Sequence, residues 1–260
     1  MKKQIKTSIG LGICRRDPVS GVPQILLVQS RMTYCFTNFA FGKYKIWDTD
    51  RLQHLVDGMT QEEKILVWAG NFEKIWFHIW FRIPQLNDTT DNFLNFYINS
   101  KSKFDQLFLK DNGKKLRILL SKSATRGSLG WDIPKGRKLE SEHELDCCQR
   151  ELREETELTP DTYTVMFDVR PIVYSYEDET SIYINKYYAA WTTRSIEPRL
   201  NYFNNDQLCE IRDIKWFGMT EIYKLGHQNH QLPAHCKLLL KLYKRRIKKK
   251  IKITPEAASL

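Results

Sequence analysis

The stretch from Gly136 to Leu158, GRKLESEHELDCCQRELREETEL, constrains the chain more than any other part of it. A glycine is followed by Glu142, then by Arg150, Glu151, Leu152, Arg153, Glu154 and Glu155. On a helix, Glu151, Glu154 and Glu155 stand at i, i+3 and i+4, so their carboxylates share one face within an arc of roughly 100°. Like charges at that spacing repel by roughly a few tenths of a kcal/mol per pair even when exposed. A bound cation removes the repulsion, and hard carboxylate oxygens suit Mg²⁺ or Mn²⁺. Taken alone, E-x-x-E-E also describes an ordinary solvated helix face, so the weight rests on the residues around it.

Those residues read as strand, tight loop, helix. WDIPKGRK supplies an apolar strand end, a proline and a glycine. Ser141-x-x-Glu144 predicts a capping box at the helix start. Leu145, Cys148, Leu152 and Thr156 follow at helical spacing and predict a buried face turned away from the glutamates.

The spacing resembles the Nudix box, G-x5-E-x7-R-E-U-x-E-E-x-G-U with U aliphatic. Gly136, Glu142, Arg150, Glu151, Leu152, Glu154, Glu155 and Leu158 match it. One position departs: Glu157 stands where the family has its second glycine. That glycine normally ends the catalytic helix, so the helix here is expected to run on slightly or to exit by another turn. The resemblance implies an α/β fold, an α/β/α sandwich around a mixed β-sheet. It implies metals on Glu151, Glu154 and Glu155, with Gly136 serving through its carbonyl or through the turn. Glu155 or Glu210 would take the proton of the attacking water, Arg150 would orient the neighbouring carboxylates, and Lys135 and Arg137 would face phosphates. Nudix domains as a class cleave a phosphoanhydride in a nucleoside diphosphate linked to something else.

The charge is unevenly spread. Residues 1–33 hold six lysines and arginines against one acid, and residues 235–260 hold nine against one, whereas residues 126–234 hold thirteen against nineteen. An acidic core flanked by basic ends would attract a polyanion too large for a metal site alone. No run of 18 apolar residues predicts a membrane span, and the basic N-terminus is too soon interrupted by Arg15 and Arg16 for a secretion signal. Cys14, Cys35, Cys147, Cys148, Cys209 and Cys236 show no C-x-x-C pairing, which points to free thiols in a reducing compartment. The expected location is the cytoplasm, the host's if the chain is viral, with association with endoplasmic reticulum or virion also open.

Thr7–Arg15 and Gln24–Arg31 read as strands around a DPVSGVP turn. About ninety residues of helical periodicity and many aromatics then intervene before the box, too long and apolar for a loop. The expected organisation is a Nudix domain from 1–33 and 126–234, an inserted, mostly helical RNA-binding subdomain at 34–125, and a basic C-terminal helix and tail at 235–260. Trp76, Phe77, His78 and Trp80 are expected in the core of the insertion rather than on an RNA-stacking surface. After the box, Tyr163–Val169, Ile172–Tyr176, Ser181–Thr192 and Glu210–Phe217 read as strands. In the C-terminal helix Leu239, Tyr243, Ile247 and Ile251 form a stripe, surrounded by Lys244, Arg245, Arg246, Lys248, Lys249 and Lys250. The favoured reading docks the stripe on the protein and turns the basic face to RNA. Peripheral contact with an anionic membrane and a solvated tail stay open.

Upstream of the box, W-D-I-P-K-G-R looks like messenger-RNA decapping enzymes and, in part, diphosphoinositol polyphosphate phosphohydrolases. KTSIGLGICR, ILLVQSR, IWFHIW, DNGKKL and CEIRDIKWF extend the similarity to the Nudix decapping proteins of large cytoplasmic DNA viruses, the asfarvirus and giant-virus members among them. The resemblance implies capped mRNA as substrate, cleaved to m7GDP and 5′-monophosphate RNA, with the RNA body held by the basic flanks. Diphosphoinositol polyphosphates or dinucleoside polyphosphates are the alternative substrates of the same site. A catalytically silent RNA-binding Nudix module is the alternative of another class, disfavoured by the intact glutamates. Oligomeric state stays open.

Overall fold

The computed structural model describes residues 3–84, 92–177, 181–225 and 231–253, with side chains described as far as Lys248. The chain divides into two compact units, Met1–Gln29 with Trp131–Leu260, and Ser30–Gly130.

The first unit opens with β1 (Gln4–Arg16) and β2 (Pro23–Ser30), paired antiparallel. Asp17 closes the turn between them, its Oδ1 accepting from the backbone N–H groups of Val19 and Ser20. Alternation along β1 separates two faces. Ile9, Leu11 and Ile13 pack with Cys147, Cys148 and Leu152, whereas Cys14 packs with Cys236 and Leu239. Gly12 lies on the second face, where a Cβ would meet Leu239 Cδ1 at 2.5 Å.

The second unit is helical: α1 (Tyr34–Ala40), α2 (Thr49–Asp57), α3 (Gln61–Trp68), α4 (Phe72–Trp80), α5 (Asn92–Phe104) and α6 (Lys114–Lys122). Its starts are encoded locally. Thr33, Asp48, Thr60 and Asn71 each cap a helix by accepting a backbone N–H through the side chain. Thr60 and Glu63 complete a capping box, and Glu63 also accepts from the N–H and Oγ1 of Thr33, which satisfies a carboxylate buried between two helix starts. Phe36, Phe39, Phe72, Trp76, Phe104 and Phe108 form the centre of an aromatic core. Trp76 is fully buried as the pattern predicts. His78 and Trp80 are half-buried, and Phe77 is exposed.

The chain returns to the first unit with β3 (Trp131–Asp132), β4 (Lys135–Arg137) and α7 (Glu144–Thr156). It continues through β5 (Thr164–Val165), β6 (Ile172–Glu177), β7 (Ser181–Trp191), α8 (Asn205–Glu210), β8 (Ile211–Gly218), α9 (Met219–Leu225) and α10 (Leu232–Ile253). The sheet is mixed, with order β3-β2-β1-β7-β5; β4 pairs with β1, β6 with β7 and β8 with β2. β1 and β7 run parallel from Gln4↔Ser181 to Cys14↔Trp191. The core clusters place α7 on one face of β1 and α10 on the other, the α/β/α layering that the box implies.

Several local expectations change. The capping box at Ser141 does not form. His143 caps α7, its Nδ1 accepting from Leu145 N, because Glu144 is held instead by Lys186 at 2.5 Å and Tyr188 at 2.8 Å. Lys135–Arg137 is a strand rather than part of a loop, and the strand expected from Tyr163 shrinks to two residues. Residues 205–210 are helical, so Glu210 ends a helix rather than starting a strand. The C-terminal helix begins at Leu232 and belongs to the first unit. Leu239 and Tyr243 are buried there and Ile247 packs against the core cluster. The side chains of Lys249, Lys250 and Ile251 lie outside the described residues.

His235, near the start of α10, is buried with its ring 5.1 Å from Tyr174 and 5.2 Å from Tyr187. Burial lowers its pKa; Asp132 opposes that shift and Lys135 adds to it. A histidine kept neutral in the folded state contributes stability above its unfolded pKa of about 6.5, and that stability is lost as pH falls through the folded value. Denaturant midpoints are therefore expected to decline below about pH 6.5, and His235→Phe to flatten that part of the profile. An unchanged slope in the variant would contradict this role.

Candidate active site

Arg150 organises the loop before α7. Its Nε and Nη2 form a fork with Glu142, at 2.7 Å to Oε1 and 3.0 Å to Oε2, and Nη2 also donates to the carbonyl of Arg137 at 3.0 Å. Nη1 lies 2.8 Å from Glu151 Oε1 and 2.9 Å from Glu154 Oε2. One guanidinium thus ties three carboxylates and a strand end together, a geometry that a lysine could not reproduce. The Arg150 fork holds the Glu142 pKa down at about 2, helped by the Leu139 N–H against some desolvation. Glu142 had only a motif position in the sequence; the structure makes it the partner that locks Arg150.

Gly136 lies on β4 beneath the Glu151 carboxylate. A Cβ there would stand 2.0 Å from Glu151 Oε2 and 2.1 Å from its Cδ. The box glycine is therefore required by the close approach of Glu151 on α7, with no positive φ at that position.

Glu155 is the most unusual group. It is buried at 8% exposure, and among the described residues its Oε2 has no hydrogen-bond partner. Burial pushes its pKa well up; Lys135 opposes this, while Glu210, Glu151 and Asp132 add to it. An ionisable oxygen left unpaired in a protein interior is expensive unless something else compensates it. Glu151 is raised chiefly by burial, against the pull of Arg150. Glu210 has an exposed side chain, yet desolvation at its carboxyl and the charges of Glu151 and Glu154 raise its pKa too. Gln207 ties α8 to this region by donating to the Glu155 carbonyl at 3.0 Å.

Lys135 is positioned by Asp132, Nζ to Oδ2 2.7 Å. Burial alone would lower the ammonium's pKa, but Asp132 and Tyr187 reverse the shift and keep it firmly protonated. Asp132 had no role in the sequence reading, although its spacing in WDIPK was visible. Arg137 is exposed. Of the expected RNA-facing residues, Lys244, Arg245 and Lys248 are exposed, whereas Arg246 is half-buried and donates to Asp168 at 3.0 Å.

Glu157 answers the question left by the missing glycine. The helix ends at Thr156, and Glu157 itself adopts the left-handed conformation at φ 58°, its N–H donating to the Arg153 carbonyl. The exit is thus the glycine-type turn made by a residue with a Cβ, at a cost of about 1 kcal/mol. Its side chain accepts from Asn201 Nδ2 at 2.6 Å. Glu157→Gly is expected to raise stability by up to about 1 kcal/mol, or a few degrees in Tm, despite the lost contact. A melting temperature lowered by several degrees would show that the Asn201 contact outweighs the strain.

Among the described residues, no group of three or more His, Cys, Asp or Glu side chains is already arranged around a metal position. Glu151 and Glu154 each give an oxygen to Arg150 instead. The donor set still fits a hard divalent cation. Three carboxylates lie on one helix face, the Glu155 Oε2 is buried without a partner among the described residues, and the missing side chain at Gly136 lets the Glu151 carboxylate lie against the β4 backbone.

The NUDIX domain family model matches residues 105–236. The chain is 33% identical over 224 residues to the mRNA-decapping protein g5R of African swine fever virus, covering 84% of this chain and 87% of that protein. A putative mRNA-decapping protein of Acanthamoeba polyphaga mimivirus is 26% identical over 213 residues, 75% of this chain and 58% of that one. A solved C. elegans Ap4A hydrolase is 14% identical, covering 94% of this chain and 98% of that one, at a TM-score of 0.45. The matched box, the forked Arg150 and the extended likeness to g5R agree: this chain belongs to the Nudix family.

Proposed function

We propose that the chain is a divalent-metal-dependent mRNA-decapping hydrolase, opening the triphosphate bridge of the m7GpppN cap to release m7GDP and RNA with a 5′-monophosphate. The observation that carries the chemistry is the buried carboxylate of Glu155, its Oε2 without a hydrogen-bond partner among the described residues, on the same helix face as Glu151 and Glu154 and within the electrostatic influence of Lys135 and Glu210. Similarity to g5R over most of the chain supports the cap as the phosphoanhydride that is cut.

Glu151, Glu154, Glu155 and the Gly136 carbonyl would hold Mg²⁺ or Mn²⁺, which supplies charge neutralisation at the phosphates and a lowered pKa for water. Arg150 keeps Glu151 and Glu154 in register with the loop at Arg137 and Glu142. Lys135, fixed by Asp132, presents a permanent positive charge to phosphate oxygens as the bridge breaks. The water's proton passes to Glu155 or Glu210, whose carboxyls burial makes more basic than an ordinary glutamate. The bridging bond broken is the one between the phosphate kept by the RNA and the two that leave with the methylated guanosine. Lys244, Arg245 and Lys248 on α10 would add sequence-independent affinity for the RNA body.

RNA labelled in the cap phosphates, incubated with Mg²⁺ or Mn²⁺, is expected to yield labelled m7GDP on chromatography and to be inert with EDTA. Turnover of diphosphoinositol polyphosphates or dinucleotides with no m7GDP released would replace this reading by the small-molecule one.

A further inference from the structure

The helical unit contains a cavity of about 400 Å³ between α3 and α6. Its walls differ in character. From α3 come Ile65 and Trp68, three residues apart and so neighbours on one helix face, at 59% and 65% exposure. From α6 and the residues after it come Arg117, Ser121 and Ser123. Lys64 borders the cavity, nearly buried, donating to Ser123 Oγ at 2.8 Å and to the Thr125 carbonyl. Burial lowers its pKa and nearby Asp57 partly restores it. Arg117 is exposed, and among the described residues no acidic side chain pairs with it.

The surrounding charge points to the occupant. Between Asp111 and Asp132 the sequence carries Lys114, Lys115, Arg117, Lys122 and Arg126 and no acidic residue. An exposed indole at the mouth of a cavity large enough for a small ligand, beside a helix of one charge sign, combines the two elements that hold single-stranded nucleic acid. A π-face accepts any base, and cations follow the backbone. A double helix offers no free base to stack there. A purely apolar partner would leave Arg117 without a counter-charge.

We propose that this cavity is a single-stranded RNA subsite, in which one unpaired base stacks on Trp68 while Arg117 contacts a flanking phosphate. The proposal rests on RNA being the substrate and adds where the helical unit grips it. The subsite holds the transcript body and takes no part in bond cleavage.

The test uses the full chain and a fluorescein-labelled, unstructured 30-nucleotide RNA, read by anisotropy. Trp68→Ala is expected to weaken binding roughly tenfold, with Trp68→Phe restoring most of it. Arg117→Ala is expected to lower the slope of log Kd against log salt by about 0.7. Binding of duplex RNA of equal length, and hydrolysis of the m7GpppG dinucleotide, should not respond to Trp68→Ala. Unchanged single-strand affinity in a Trp68→Ala/Arg117→Ala chain that still decaps RNA would overturn the subsite and leave the enzyme assignment standing. Loss of single-strand binding in a chain whose wild type releases no m7GDP would uphold the subsite and remove the enzyme assignment instead.

Discussion

Glu155→Gln is expected to lower kcat on capped RNA by about 10³-fold, within the range for removing a general base or a group that serves one, with little change in KM. The substitution keeps shape and volume, and the Oε2 it replaces has no partner to lose, so the fold should survive. A second readout separates chemistry from structure. A cation that binds only the folded protein stabilises it by about 2.7 kcal/mol at a hundred times its Kd. Wild-type protein should therefore melt higher in Mn²⁺ than in EDTA, and Glu155→Gln should show a much smaller rise. Removing Glu155 also takes a costly buried carboxylate out of the metal-free protein, so in EDTA the variant should be at least as stable as wild type. Equal metal-induced stabilisation of both proteins would exclude Glu155 from the cation site, whatever happened to turnover.

Gly136→Ala is the second large effect. The added methyl would lie 2.0–2.2 Å from all three terminal atoms of the Glu151 carboxylate, far inside contact distance, and the carboxylate is itself held by Arg150 at 2.8 Å. Either β4 or Glu151 must move. A displacement of about 1 Å in a positioned catalytic group costs on the order of 10²-fold in rate, and the overpacking costs about 1–3 kcal/mol of stability. Gly130→Ala is the matched control, since a Cβ there meets nothing within 4 Å. Steady-state kinetics and thermal melts on the two variants decide the matter. Near-normal turnover in Gly136→Ala would mean that Glu151 does not need its observed position.

The layered fold and the acidic face of α7 were legible because they rest on local rules. Alternation in β1, the i, i+3, i+4 spacing of the glutamates and the apolar stripe of α10 each depend on a few neighbouring residues. What escaped depends on partners distant in sequence. Glu144 was available as a capping residue until Lys186 and Tyr188, on β7, claimed its carboxylate. Glu155 reads as one of three exposed glutamates, yet α8 and the core enclose it, and only the fold shows that its oxygen lacks a partner. Arg246 looked like its basic neighbours, but Asp168 binds it. Glu157 was visible as a departure from the box, whereas its left-handed turn was not, because nothing in the sequence distinguishes a tolerated strain from a longer helix.

The carboxylate site on α7 is tested most directly by following cap-labelled long RNA with wild-type protein and with the Glu154→Gln/Glu155→Gln double variant, side by side in Mn²⁺. Release of m7GDP by the wild type, reduced at least about 10³-fold in the variant, is the result the site on α7 predicts. Release of m7GDP at similar rates by both would contradict it, since the bond would then be cut by residues other than this cluster of carboxylates.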